Sequence, residues 1–121
     1  MRTIEAIFML PNRIRISKRA TDLLKAIKRR TGVTPNILCR MALILSLEEN
    51  HKADTDTTDL NGSEFNLSTL FGEAGPLYEA IMKLSHDNLS PKEAQLALAA
   101  HIDNGVDKLK RAKSVKDLIN Y

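Results

Sequence analysis

"NRIRISKRATDLLKAIKRRTGVTPNILCRMALILSLE", residues 12–48, changes its hydrophobic rhythm twice. Over residues 12–17 apolar and polar side chains alternate, so Arg13, Arg15 and Ser17 share one face of an extended strand and Ile14 and Ile16 the other. A strand this short needs a partner strand. Ser17 then stands where a helix N-cap belongs. Ala20, Leu23, Leu24 and Ile27 recur at helical spacing and Gly32 supplies a stop, which predicts a first helix over 18–30. At about 100° per residue these four apolar residues form one stripe, with Lys18, Lys25 and Arg29 on the opposite side and Lys28 and Arg30 flanking it. Thr34 and Pro35 restart the chain as an N-cap and a first helical residue, predicting a second helix over 35–48. Its apolar residues (Ile37, Leu38, Met41, Leu43, Ile44, Leu45 and Leu47) surround most of the circumference, the pattern of a helix buried on nearly all sides. One small chain provides too little cover for that, which predicts an oligomer interface along this helix.

The charge is sorted along the chain. Eight of the twenty residues 13–32 are Lys or Arg, broken by a single acid, Asp22. The net charge of +3 divides into +8 for residues 1–47, −6 for 48–75 and +1 for 76–121. A basic front third, followed by an acidic middle and a near-neutral end, suits a phosphate-bearing partner, because each neutralised phosphate releases counterions; it suits an acidic protein partner as well. At 121 residues the chain fits one domain, 1–121. A domain of this size buries roughly two-thirds of the surface its unfolded form exposes. A lone cysteine, Cys39, excludes an internal disulfide framework, and the absence of a long apolar run argues against a signal peptide or membrane span. The chain therefore reads as cytoplasmic. With five aromatic residues and no Trp it is a poor stacking platform for single strands or RNA.

Residues 49–63, "ENHKADTDTTDLNGS", lack periodicity and predict an acidic loop with no packed element. An extended segment is expected at Glu64–Leu67, a turn at Gly72 and Gly75, and a third helix over 76–86 whose Leu77, Ala80, Ile81 and Leu84, at helical spacing, are expected to pack into the core. "SPKE", Ser90–Glu93, is a capping box that opens a fourth helix through Leu98 to Ile102. Asn104 and Gly105 are expected to end or bend it, leaving a short helix over 106–112 and another turn opened by Ser114. The fold class is mainly α: a short N-terminal strand followed by four or five helices, in a basic strand-helix-helix unit (12–48), an acidic loop (49–63) and a helical C-terminal part (64–121).

The strand, capped helix, turn and second helix of residues 12–48 resemble a ribbon-helix-helix unit. In that architecture two chains pair their strands into a ribbon that enters the major groove. The resemblance would aim Arg13, Arg15 and Ser17 at base edges, and offer the first N–H groups of the second helix, with Asn36 beside them, to a phosphate.

A second resemblance covers nearly the whole chain. "RIRISKRATDLLKAIKRRTGVTPNILCRMALILSLE" (13–48), "GSEFNLSTLFGE" (62–73) and "AHIDNG" (100–105) are similar to the DndE family of the bacterial DNA phosphorothioation system. The resemblance implies a compact, mainly helical oligomer, a tetramer rather than a dimer, without a catalytic site or cofactor of its own. It also implies binding to duplex DNA, notably nicked duplex, beside partner proteins that carry out sulfur mobilisation and nucleotide-dependent steps. The residues favour contact with the DNA backbone over base reading, because Lys18, Lys25 and Arg29 make a continuous helical face that Arg13, Arg15, Arg19, Lys28 and Arg30 extend. Cys39 has Pro35, Ala42 and Leu43 as helical neighbours and no second Cys, which suits a small buried hydrophobe better than a sulfur acceptor or cluster ligand. His51, His86 and His101 lack metal-site spacing, and no nucleophile motif or phosphate-cradling Gly motif is present. A ribbon-helix-helix regulator and an adaptor that docks an acidic partner are the alternatives to a non-catalytic DNA-binding subunit.

Overall fold

The computed structural model describes residues 10–49, 55, 56, 58–86 and 89–119. The alternation at the front of the chain becomes strand β1, Arg13–Arg15, with Ile14 and the following Ile16 fully buried. Its partner comes from the same chain. Strand β2, Glu64–Asn66, runs antiparallel to it with Arg13 opposite Asn66, Ile14 opposite Phe65 and Arg15 opposite Glu64. Two flanking hydrogen bonds lengthen the pairing: the Leu67 N–H donates to the Asn12 carbonyl at 2.7 Å and the Ile16 N–H to the Ser63 carbonyl at 3.1 Å. Away from β2, the Arg15 N–H donates to Gln95 Oε1 at 2.8 Å, on helix α5 (Pro91–Leu109). β1 is therefore engaged on both sides, and the second chain's strand that a ribbon-helix-helix dimer needs would have to displace Gln95.

Helix α1, Lys18–Thr31, begins where Ser17 Oγ accepts the Ala20 N–H at 2.9 Å. It ends at Gly32, whose φ of 79° lets its N–H reach back to the Lys28 carbonyl at 2.8 Å. Ala20, Leu24 and Ile27 are buried and Leu23 is half-buried, so the apolar stripe faces the core as its spacing requires. Helix α2 spans Pro35–Glu48. Residues 50–54 and 57 of the acidic stretch lie outside the described residues, but 58–63 is packed, contrary to the expectation of an unpacked loop. The Gly62 N–H donates to the Ile16 carbonyl at 2.8 Å and the Ser63 N–H to Thr21 Oγ1 at 2.8 Å. The Thr58 and Ser17 hydroxyls both donate to the Asp103 carboxylate, tying this segment to α1 and α5. Bonds to Ile16, Lys18, Thr21 and Asp103 hold it against α1 and α5.

After β2 come α3 (Leu67–Phe71), a 3₁₀ turn (Gly72–Ala74), α4 (Gly75–Ser85), α5 and α6 (Val115–Ile119). Phe71 and Tyr78 stack with ring centroids 4.4 Å apart, joining α3 to α4. The expected core stripe of α4 is not buried: Leu77, Ala80 and Leu84 are exposed and Ile81 half-buried, and Met82 is the residue of this helix that enters the core. α5 opens on the expected capping box, with Ser90 Oγ accepting the Glu93 N–H and Glu93 accepting the Ser90 N–H. It does not stop or bend into a second helix at Asn104 and Gly105, but continues to Leu109. Gly105 marks the crossing of α5 over α2: a Cβ there would lie 1.9 Å from the Ala42 carbonyl oxygen. The missing side chain permits close approach rather than a turn.

The α2–α5 pair is the centre of the core. Leu38, Cys39, Ala42, Leu43 and Ser46 of α2 are buried on the same side as the α5 contact, with Leu98, Ile102, Val106 and Leu109 buried on α5. The remainder of α2 is less covered: Met41, Ile44 and Leu45 are half-buried and Ile37 is 38% exposed.

Candidate nucleic-acid interface

The sheet register and the packing of α1 decide which of the clustered cations keep their charge available. Arg13 and Arg15 point outward from β1, as alternation requires, but both reach the same carboxylate on β2. Glu64 accepts from Arg13 at 2.7 Å and pairs with Arg15 at 3.2 Å. The Arg13 hydrogen bond, with the charges of both arginines, holds the Glu64 carboxyl below the usual carboxylate range. Lys18 pairs with Asp22 one turn later at 3.2 Å. Its backbone N–H donates to Asp59 at 3.0 Å, and hydrogen bonds from the Asn61 and Lys18 N–H groups lower the pKa of that carboxyl. Arg19 pairs with Asp107 on α5. Partial burial pushes the Asp107 carboxyl up, but Arg19 and Lys110 outweigh it and the net shift is downward.

Arg30 is held differently. Its Nε donates to the Ala112 carbonyl at 3.0 Å and its Nη2 to the Lys110 carbonyl at 2.7 Å, just past the end of α5. Lys25, Lys28 and Arg29 are exposed and make no side-chain hydrogen bond or ion pair with any described residue. The structure thus brings the basic residues to one region and divides them. The strand and the first turn of α1 face acids from β2, α1, α5 and the 58–63 segment, whereas the second half of α1 pairs with none among the described residues.

The Asn36 amide is already engaged within the chain. Its Nδ2 donates to the Thr69 carbonyl at 3.1 Å and its Oδ1 accepts from Thr34 Oγ1 at 2.6 Å, so the amide joins the start of α2 to α3. The stretch "KRAK", Lys110–Lys113, is inconspicuous in sequence within a near-neutral C-terminal third. Arg30 sets it against the last turn of α1, with Arg111 and Lys113 exposed. The run of four residues with three bases is its only local signal, because the neighbour that gives it meaning lies some eighty positions earlier.

Cys39 is fully buried, and desolvation pushes its thiol up to about 12, the setting of a small buried hydrophobe rather than of a reactive thiolate. Replacing it by Ser puts a hydroxyl in this apolar site and is expected to lower stability by about 1–3 kcal/mol. DNA affinity should be unchanged. Urea denaturation and a DNA titration on one preparation check both, and abolished binding with unchanged folding would give Cys39 a direct role. The histidines are closer than their spacing suggests: His86 and His101 meet Nε2 to Nε2 at 2.8 Å, and His101 Nδ1 lies 2.7 Å from Ser46 Oγ. His51 lies outside the described residues. Among the described residues no group of three or more His, Cys, Asp or Glu side chains could hold a metal ion, and no helix is long and apolar enough to cross a membrane.

A family model described as DndE, DNA sulphur modification protein DndE, matches residues 13–117. Among solved structures, the chain is similar to DndE from Escherichia coli B7A, involved in DNA phosphorothioation modification. The identity is 34%, over 84% of this chain and 97% of that one, with a TM-score of 0.78. It is also similar to a mutant DndE involved in DNA phosphorothioation, at 32% identity over 84% of this chain and 99% of that one, with a TM-score of 0.75. No curated relative matches the chain.

Proposed function

The chain belongs to the DndE family and is a component of the DNA phosphorothioation system; from that premise we propose that it is a non-catalytic subunit that binds duplex DNA through the exposed cations of α1. The observation that carries the proposal is the division of the basic cluster. Lys25, Lys28 and Arg29 stand in solvent without acidic partners among the described residues, whereas Arg13, Arg15, Lys18 and Arg19 each face a carboxylate. Cations on the outside of a helix follow a phosphate backbone and carry little base information, which suits a binder that accepts many sequences, nicked duplex included. Chemistry on sulfur is left to other proteins of the machinery, in keeping with a buried, protonated Cys39. The location is the cytoplasm, where its DNA is.

Titrating the protein against intact, nicked and single-stranded DNA at several salt concentrations tests this. Duplex binding that weakens steeply with salt, varies little with sequence and is tightest for nicked duplex is expected. Strong sequence discrimination would favour the ribbon-helix-helix regulator, which the double engagement of β1 disfavours. Negligible affinity at moderate salt would favour the adaptor.

The subunit acts as a homo-oligomer, a tetramer in preference to a dimer, associating through the outer side of α2. A groove of about 360 Å³ there is lined mainly by apolar side chains, Ile37, Met41, Ile44, Leu45, Tyr78 and Leu118, with Arg40 and Glu48 beside them, a surface that a second copy would cover. Light scattering should give a multiple of the 13.5 kDa chain, and Ile44→Glu should reduce it. A monomer at micromolar concentration would overturn the association.

A further inference from the structure

We infer that the turn between α5 and α6, Lys110–Lys113, is a second DNA-backbone contact continuous with the last turn of α1, with Arg111 and Lys113 binding phosphate and Arg30 positioning them. The inference rests on α1 being a DNA-binding face and extends it to an element distant in sequence.

The turn is fixed from two sides. Leu109 and Ala112 are buried and anchor it to the core, and the Ala112 N–H donates to the Leu109 carbonyl at 2.9 Å. From the other side the Arg30 guanidinium takes the carbonyls of Lys110 and Ala112 at 2.7 and 3.0 Å. Carbonyls at a helix end have no partner within the helix, and their partial negative charge would oppose an approaching phosphate. Arg30 satisfies these two and leaves its own positive charge at the junction. Because the backbone on either side of Arg111 is held, the exposed side chains of Arg111 and Lys113 have fixed origins rather than a loose loop beneath them.

Charge pairing separates these two residues from their neighbours. Lys110 spends its ammonium on Asp107 at 3.5 Å. Asp117 accepts the Lys113 backbone N–H at 2.8 Å, but the Lys113 ammonium and the Arg111 guanidinium make no ion pair with any described residue. The junction therefore gathers Lys28, Arg29, Arg30, Arg111 and Lys113 on two touching turns, none with its side chain bonded to a carboxylate of a described residue. Cations on two adjacent elements can follow a backbone along its length, which one helix face alone does less well, and a duplex broken by a nick still presents that backbone.

The test compares full-length variants on labelled intact and nicked duplexes across a salt series. Arg111→Ala with Lys113→Ala should weaken binding to both duplexes by roughly tenfold at moderate salt and flatten the log–log salt slope by roughly two, one for each phosphate that is no longer neutralised. The thermal midpoint should be unchanged; if Ala lowers it, Arg111→Gln with Lys113→Gln keeps the aliphatic stems and carries the same expectation. Arg30→Lys keeps the charge but cannot grip both carbonyls, so it should weaken binding and make the Arg111 and Lys113 substitutions nearly silent on its background. Native affinity and slope in the double variant, while replacement of Lys25, Lys28 and Arg29 abolishes binding, would overturn the inference and leave α1 as the DNA face. Native affinity in both sets would remove the DNA face altogether.

Discussion

Replacing Lys25, Lys28 and Arg29 together by Ala is expected to weaken duplex binding about a hundredfold at moderate salt and to flatten the salt slope by roughly three. The three lie on the exposed second half of α1, so their removal should change stability by less than about half a kcal/mol. Replacing Arg13 and Arg15 instead is expected to cost much less affinity, although they extend from the same basic unit. Both already share Glu64, and a phosphate would have to compete with a carboxylate held directly opposite Arg15 by the strand register. Isothermal titration of the two variants at matched salt separates the cases. Equal reductions would mean that Glu64 releases its arginines on binding, and native affinity in the triple variant would move the DNA contact off α1.

The same contrast separates what is legible in the sequence from what is not. The cap at Ser17, the stripe of α1, the stop at Gly32 and the capping box at Ser90 are local: each depends on residues within a few positions of one another, and each forms as its spacing requires. Apart from Asp22, one turn from Lys18, the partners that set the availability of charge are remote. Arg19 meets Asp107 across 88 positions and Arg13 meets Glu64 across 51, and no periodicity encodes either distance. The basic density of residues 13–32 is legible as a surface; which half of it keeps uncompensated charge depends on β2 and α5 lying beside it. Asn36 shows the same dependence, since the Thr69 carbonyl that its amide bonds comes from α3, 33 positions away.

Gly105→Ala is expected to destabilise the protein by about 2–3 kcal/mol or more, against the ordinary preference of a helix interior. Propensity alone would make Ala the better residue by about 1 kcal/mol. Packing reverses the sign. The added methyl would sit 1.9 Å from the Ala42 carbonyl oxygen and 2.3 Å from its carbon, and neither can yield by a rotamer change because both are backbone of α2. Relief requires α2 and α5 to separate along their most extensive contact, loosening Leu38, Leu43, Leu98 and Ile102 in the process. Out of the roughly 5–15 kcal/mol that holds a domain of this kind, such a decrease is large. It should also reach the DNA face, because α5 carries the Asp107 that pairs with Arg19 and the end that Arg30 grips. Urea denaturation should therefore show a lowered midpoint, together with weaker duplex binding at temperatures where the variant begins to loosen. A variant as stable as the native protein would mean that the two helices do not cross at Gly105, and would restore the reading of Asn104 and Gly105 as a break in the helix.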